Sequence, residues 1–194
     1  MAKKVDTKLR GAAGEFMVCG LLAQYNWAAA LTRDGITMTD VLAQHAGTGE
    51  SISIQVKTTW VDSGRQAKWQ VGSKDVRPAT STSQWYVLVK LDGPSPAPAS
   101  YFVIPKDHIA AAIWIVHQSW LTDPSVPKGK RNTPVDRAII DERFFEGYRA
   151  RWDLLTQSTD VAPILLPSEL RDRARLSRVG LPPNHAWGTS LPTW

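Results

Sequence analysis

The chain has 194 residues, which is enough to bury the core of one ordinary domain. Its 43% hydrophobic and 21% charged content is typical of a folded globular protein and excludes a disordered one. The net charge of +5 permits a nucleic-acid partner without requiring one. The only cysteine, Cys19, excludes an internal disulfide framework, and the four histidines show no paired spacing typical of zinc sites.

The sequence offers no segment suited to a membrane. The N-terminus carries basic residues without an apolar run behind them, so we expect no signal peptide. The longest apolar run, from Ile109 to Val116, is far too short to span a bilayer. We therefore expect a cytoplasmic protein without membrane contact.

The first part of the chain predicts a helix followed by a meander of strands. Asp6 or Thr7 is a typical cap for a helix that ends near Asn26. Gly11 and Gly14 inside it lower its stability, which predicts that another segment packs close there. Strands are expected at residues 27–32, 40–45 and 51–59, with a glycine turn at 47–49 joining the last two as a β-hairpin.

The middle of the chain predicts further strands and then helices. We expect a buried central strand at 85–89, an exposed proline loop at 93–98 and a strand at 101–104. One helix should run from Pro105 to about Trp120, and a longer one from about Val135 to Leu155. Aromatic residues in the second helix recur at offsets that favour core or dimer packing. They are Phe144, Phe145, Tyr148 and Trp152.

Beyond Asp160 the composition changes, and several prolines surround a short basic helix expected at 168–178. This segment is interpreted as a tail or arm. The order of elements predicts an α/β (α+β) fold, in which helices flank a mixed central β-sheet and a C-terminal helical extension and tail follow. The expected division is a core domain at 1–122, a basic loop and packing helix of that domain at 123–160, and a Pro-rich basic tail at 161–194.

The predicted third strand carries the most informative pattern. Ile52, Ile54 and Val56 alternate with polar residues, and because side chains alternate along a strand, Gln55 and Lys57 project from one face. An oxygen ligand beside an ammonium on a rigid strand suits the cutting of a phosphodiester, which needs a metal, an activated water and a neutralising cation. The alternative is the ordinary solvent face of an amphipathic strand.

Two acids precede that strand. Glu15 shares a helix face with Ala12, Cys19 and Leu22, where a buried carboxylate would need a partner, although a partly exposed boundary position is the alternative. Asp40 opens the strand that the hairpin pairs with the polar face described above. The hairpin therefore predicts that an acid lies beside the glutamine and the lysine.

A glutamate in the first helix, an acid opening the second strand and an acid-x-lysine position on the third resemble the PD-(D/E)XK nuclease superfamily. The resemblance extends to small Holliday junction resolvases and to a homing endonuclease that carries Gln-x-Lys. It covers roughly residues 8–120 and implies a restriction-endonuclease-like core. Thr39 replaces the proline of the family motif, and Gln55 replaces a carboxylate, which removes one negative charge from the site.

This resemblance implies a metal-dependent DNA endonuclease that uses Mg²⁺, with Mn²⁺ as a substitute. Asp40 would be the main metal ligand, with Gln55 and the Val56 carbonyl completing the set. Lys57 would act on water and phosphate, and Glu15 would hold a metal-bound water or a second ion. A homodimer is a further expectation. The alternative is a catalytically decayed DNA-binding or protein-interaction module on the same fold.

Basic residues outside the motif are candidate phosphate contacts, and Trp60 and Trp69 are candidates for stacking on bases. Solvated loop charge and core packing are the respective alternatives. The candidates for nucleic-acid binding are Lys68, Trp69, Lys74, Arg77, Lys128, Lys130 and Arg131.

Overall fold

Seven strands and three α-helices define the fold in the computed structural model, which describes residues 6–33, 38–93 and 96–194. The helices are α1 (Thr7–Gln24), α2 (Lys106–Leu121) and α3 (Ser168–Ala174). The strands are β1 (Trp27–Leu31), β2 (Val41–His45), β3 (Ser51–Val61), β4 (Lys68–Gln70), β5 (Gln84–Asp92), β6 (Ala99–Pro105) and β7 (Ile139–Asp141).

Five of these strands form a mixed sheet in the order β1-β2-β3-β5-β6. The β3–β5 pair is parallel and the other neighbours are antiparallel. Helix α1 packs on β1 and β3, and α2 packs on β5 and β6. This sheet flanked by helices confirms the predicted α/β (α+β) fold. Strands β4 and β7 form a separate antiparallel pair.

The β2–β3 hairpin and the central strand agree with the sequence pattern. Val41 pairs with Ile54 across the hairpin, and Gly49 takes a φ of 76° in its turn. Strand β5 is buried from Trp85 through Leu91, as expected for a strand with neighbours on both sides and helices over it. The proline loop expected at 93–98 includes residues 94 and 95, which lie outside the described residues.

Helix α1 begins as predicted, because the Asp6 carboxylate accepts the backbone N–H of Lys8 at 2.7 Å. A Cβ added to Gly14 would lie 1.9 Å from Thr58 Oγ1, so a glycine is needed where the helix crosses β3. The expectation that another segment also packs close to Gly11 is wrong, because a Cβ added there would meet only Glu15 Oε1 of its own helix at 4.0 Å.

The long helix expected from Val135 to Leu155 is wrong. The segment instead contains β7 and three short 3₁₀ helices. These helices are Val135–Arg137, Glu142–Tyr148 and Trp152–Thr156. The aromatic residues Phe144, Phe145, Tyr148 and Trp152 are nevertheless buried, so their predicted packing role is confirmed as core packing.

Contacts with distant strands compete successfully with helix formation in this segment. The β-branched Ile140 pairs with Trp69 of β4. Glu142, 3% exposed, accepts the Ala67 N–H at 2.7 Å and pairs with Lys90 at 3.1 Å. Ala150 takes a φ of 52°, which a helix cannot contain. Partners that lie far away in sequence therefore decide this conformation.

The segment after Asp160 packs on the domain, and its helix α3 ends before the expected limit at residue 178. Leu170 is fully buried, and the Trp114 indole of α2 donates to the Val179 carbonyl at 3.0 Å. His185 Nε2 lies 2.9 Å from the Asp107 carbonyl at the start of α2. The segment thus covers α2 and is not a detached arm.

None of the helices within the described ranges combines the length and apolar character that crossing a membrane requires.

Candidate active site at the start of β2 and on β3

Asp40 lies where the chain enters β2. Its backbone N–H donates to the Ile54 carbonyl at 2.9 Å, and its own carbonyl accepts the Thr32 N–H at 2.9 Å. The Thr32 hydroxyl also donates to the Thr39 carbonyl at 2.6 Å. These bonds to both neighbouring strands fix the backbone from which the Asp40 carboxylate projects.

The Asp40 carboxylate contacts β3 directly. Its Oδ2 accepts the Val56 backbone N–H at 2.7 Å and a short hydrogen bond from the Gln55 amide Nε2. Burial is the main cause that raises the pKa of Asp40, and the negative charge of Asp75 adds a smaller rise. The Val56 N–H and the Lys57 charge oppose that rise. The hairpin thus brings together the acid and the glutamine.

Gln55 and Lys57 line one open cavity of about 740 Å³ together with Asp40. The shared face follows from strand alternation, since Ile54 and Val56 between and beside them are buried. The side chain of Lys57 is 30% exposed, so its ammonium is accessible from this cavity. The structure therefore brings together three of the predicted site residues.

Asp75 is an acid of this cavity that sequence reasoning missed. It lies in the turn between β4 and β5, is 3% exposed and pairs with the Lys57 ammonium at 3.3 Å through Oδ2. The same carboxylate accepts the Gly72 N–H at 2.6 Å and the Tyr86 hydroxyl at 2.7 Å. In the sequence, the turn from Gly72 to Asp75 is the only local feature that points to this acid, and a turn does not indicate which strand its carboxylate faces.

Tyr86 and Lys106 surround Asp75 from the side of β5 and α2. Burial, and then the Asp75 charge, raise the pKa of the Tyr86 hydroxyl. The Lys106 ammonium donates to the Asp75 main-chain carbonyl at 2.6 Å and lies 5.0 Å from the Tyr86 ring centre. Burial lowers the pKa of Lys106 to about 8.

Glu15 lies on helix α1. It is half-buried on α1, next to Gly14, whose contact with Thr58 brings the helix against β3. Glu15 is not among the described residues that line the Asp40 cavity. Burial first, and the Glu15 charge second, raise the pKa of the Cys19 thiol one helical turn away.

The predicted nucleic-acid contacts after β3 take different positions. Lys74 is exposed at the rim of the Asp40 cavity, and Arg77 is exposed nearby. Lys68 is exposed on β4 and pairs with Asp141 at 3.3 Å. The prediction that Trp69 stacks on bases is wrong, because this side chain is 2% exposed and its indole donates to a β5 carbonyl at 3.2 Å.

Lys128, Lys130 and Arg131 belong to a different surface. Lys128 and Arg131 line a separate cavity of about 720 Å³ formed by the loop after α2. Arg131 pairs with Asp123 at 3.2 Å and lies 5.1 Å from the centre of a Trp120 ring. The structure does not bring this basic group to the Asp40 cavity.

The acids of the site are few for a metal centre. Within the part of the chain that the structure describes, no group of three or more histidine, cysteine, aspartate and glutamate side chains is arranged to hold a metal ion. Asp40 and β3 offer an ion the Asp40 carboxylate, the Gln55 amide and the Val56 carbonyl, and the Asp75 carboxylate lines the same cavity. Because Val56 turns its N–H toward Asp40, its carbonyl projects from the same edge of the extended strand.

No protein-family model and no curated protein matches the chain. Among solved structures, a bacterial homing endonuclease is similar to it, with 14% sequence identity and a TM-score of 0.48. The similarity covers 80% of this chain and 95% of that one.

Proposed function

We propose that the chain is a metal-dependent DNA endonuclease that hydrolyses phosphodiester bonds in the Asp40 cavity. One observation carries the proposal: a half-buried carboxylate, an amide and an ammonium line a single open cavity on adjacent strands. These are the groups of Asp40, Gln55 and Lys57. The cavity is open to solvent, and the exposed Lys74 at its rim adds positive charge that would favour a phosphate backbone.

The donor set fits magnesium, which prefers oxygen ligands and needs only one or two carboxylates because it keeps several waters. Asp40 and the Val56 carbonyl would hold the ion, and the Gln55 amide would join them. Gln55 now presents its nitrogen to Asp40, so half a turn of the terminal amide would present its oxygen instead. Bound Mg²⁺ or Mn²⁺ would polarise the phosphate and favour deprotonation of the attacking water.

Lys57 would supply the cation of the reaction. Its ammonium is held by Asp75 at 3.3 Å and retains two further N–H groups for a phosphate oxygen or the attacking water. An ammonium in this position stabilises the negative charge that develops on the phosphate. Glu15 would act from α1 through a metal-bound water or a second ion.

Cleavage assays with matched variants test this function. Wild-type protein, Asp40→Asn and Lys57→Met are incubated with Mg²⁺ or Mn²⁺ and with duplex, single-stranded and branched DNA. Lys8→Met, an exposed change at the far start of α1, serves as the charge control. The proposal predicts cleavage by wild type and Lys8→Met, and a loss of at least about 100-fold in both site variants. Equal cleavage by Asp40→Asn and wild type would contradict it.

A second candidate function is a DNA-binding or protein-interaction module without catalysis. The observation that favours it is that Gln55 and Val56 already donate hydrogen bonds to Oδ2 of the Asp40 carboxylate. This candidate predicts salt-sensitive DNA binding that survives Asp40→Asn and a melting temperature that Mg²⁺ leaves unchanged. Metal-dependent cleavage by the wild type would eliminate it.

Homodimerisation and a cytoplasmic location stay predictions. Sedimentation velocity at several concentrations, with and without DNA, measures the first directly. Fractionation of source cells measures the second.

A further inference from the structure

A second pocket adjoins the Asp40 cavity. It has a volume of about 200 Å³ and lies between the turn that follows Asp75 and the first residue of α2. Met38 and Lys74 line both cavities, so they share a wall. We call this second cavity the basic pocket, because its lining contains Lys74, Arg77 and Lys106.

The side chains that line the basic pocket carry positive charge. Its described lining includes three cations and no carboxylate. Among the described residues, none of the three cations makes an ion pair within 4.0 Å, and Lys74 and Arg77 are exposed. The acids nearest Lys106 are engaged elsewhere. Asp75 bonds with Lys57, Gly72 and Tyr86, and Asp107 accepts the Ala79 N–H at 2.7 Å.

The buried Lys106 ammonium has donors to spare for an acceptor ligand in the pocket. Lys106 is 4% exposed and donates to the Asp75 carbonyl, which leaves two of its three N–H groups for other acceptors. Buried donors without acceptors are costly, and an anion rich in oxygen would satisfy them.

We propose that the basic pocket binds a phosphoryl group of a nucleic-acid strand, beside the position of cleavage. Arginine and lysine together match the several oxygens of a phosphate, and a volume of about 200 Å³ fits that group with part of its sugar. The position beside the cut rests on the proposed function, whereas the phosphate chemistry rests on the pocket alone. The phosphoryl group is either a backbone phosphodiester or a terminal phosphate monoester.

Binding without catalysis tests the pocket. The affinity for a 5′-phosphorylated single-stranded oligonucleotide is measured in EDTA over a range of salt concentrations. Arg77→Ala should weaken binding about tenfold and reduce the slope of log affinity against log salt by about 0.7. Lys106→Met, which keeps the buried stem, should act in the same direction. Arg65→Ala, which also removes an exposed arginine charge, is the control and should bind like wild type.

Two altered oligonucleotides identify the source of the phosphate. One lacks the 5′-phosphate, and a set of others carries a neutral methylphosphonate at one internal position each. The alteration that abolishes the difference between wild type and Arg77→Ala marks the group that occupies the pocket. If wild type binds no strand at low salt, or if Arg77→Ala and Lys106→Met bind like wild type with the same salt slope, the proposal is overturned.

These outcomes separate the pocket from the proposed function. If wild type cleaves DNA with metal and Arg77→Ala binds the oligonucleotide unchanged, the phosphate-binding role of the pocket is overturned and the nuclease function stands. Pocket-dependent binding by a protein that cuts no DNA with either metal removes the nuclease and leaves the pocket.

Discussion

The Lys57 ammonium lies 3.3 Å from the Asp75 carboxylate, and this contact joins β3 to the turn before β5. The lysine side chain is 30% exposed and the aspartate side chain 4%, so the acid is the buried partner. Asp75 is fixed in turn by the Gly72 N–H and the Tyr86 hydroxyl. The pair therefore holds the lysine in the cavity that Asp40 also lines.

Removing the Asp75 charge should lower the pKa of Asp40. The Asp75 carboxylate helps to raise that pKa, while Lys57 lowers it and would be released toward Asp40 in Asp75→Asn. The measurement is a carbon-13 NMR titration of the Asp40 carboxyl in wild type and Asp75→Asn. Asp62→Asn, an exposed control outside the cavity, should leave the Asp40 titration unchanged. A higher Asp40 pKa in Asp75→Asn would contradict the arrangement.

Asp40→Asn should stabilise the protein at neutral pH, even though it should remove cleavage. Because burial chiefly raises the pKa of Asp40, the folded state keeps this proton to a higher pH than the unfolded chain does. The free energy of unfolding therefore falls as pH rises from about 3.9, the pKa of an aspartate in the unfolded chain, through the higher pKa of Asp40 in the folded protein. Asparagine does not ionise and avoids that loss. Asp40→Asn should therefore have a higher free energy of unfolding than wild type at pH 7, and the difference should vanish near pH 3.

Urea unfolding at both pH values measures this effect. Asp153→Asn is a control of opposite sign, because a hydrogen bond from Arg151 lowers the pKa of Asp153. Its ionised form is stabilised in the folded state, so this variant should lose stability at pH 7. If Asp40→Asn is less stable than wild type at pH 7, burial does not disfavour the ionised Asp40 carboxylate.

Gln55→Glu should strengthen metal binding and weaken the metal-free fold. A second carboxylate would face Asp40 in place of the hydrogen bond that Gln55 donates, so the two charges repel until a cation binds. Melting temperature as a function of Mg²⁺ concentration measures both effects. Gln44→Glu, an exposed change on β2, is the matched control. Equal Mg²⁺ responses of Gln55→Glu, Gln44→Glu and wild type would exclude Gln55 from the metal site.

Gly14→Ala and Gly20→Ala should change stability in opposite directions. The new Cβ at residue 14 would lie 1.9 Å from Thr58 Oγ1, which should cost about 1–3 kcal/mol. Gly20 lies on the exposed side of α1, where an added Cβ meets nothing within 4 Å, so alanine there should stabilise by about 0.5–1 kcal/mol. Chemical denaturation of both variants provides the comparison. Equal effects would place α1 away from β3.

Local patterns predicted the elements that carry the site. Alternation along β3, the turn at Gly49 and the cap at Asp6 depend on residues close in sequence, and the structure agrees with each. The meeting of Asp40 with Gln55 followed from the same hairpin. A period of two together with a turn sets the register of two strands, and register decides which side chains meet.

Long-range contacts account for what the sequence did not reveal. Ile140 pairs with Trp69 and Glu142 bonds with Lys90, and both contacts turn an apparent helix into strand and 3₁₀ segments. Asp75, in the turn before β5, is likewise positioned by contacts with Tyr86 of β5 and Lys57 of β3. Helical spacing and a lone turn acid contain no information about such partners, so tertiary structure overrides the local preference.

We propose that Asp40, Gln55 and the Val56 carbonyl hold a divalent metal beside Lys57. Anomalous diffraction from a crystal soaked in Mn²⁺ would locate such an ion in the Asp40 cavity. We expect one anomalous peak about 2.0–2.3 Å from an Asp40 carboxylate oxygen, with the Gln55 amide turned to present its oxygen. A well-ordered Asp40 that still accepts the Gln55 amide nitrogen, with no peak in the cavity at saturating Mn²⁺, would contradict it.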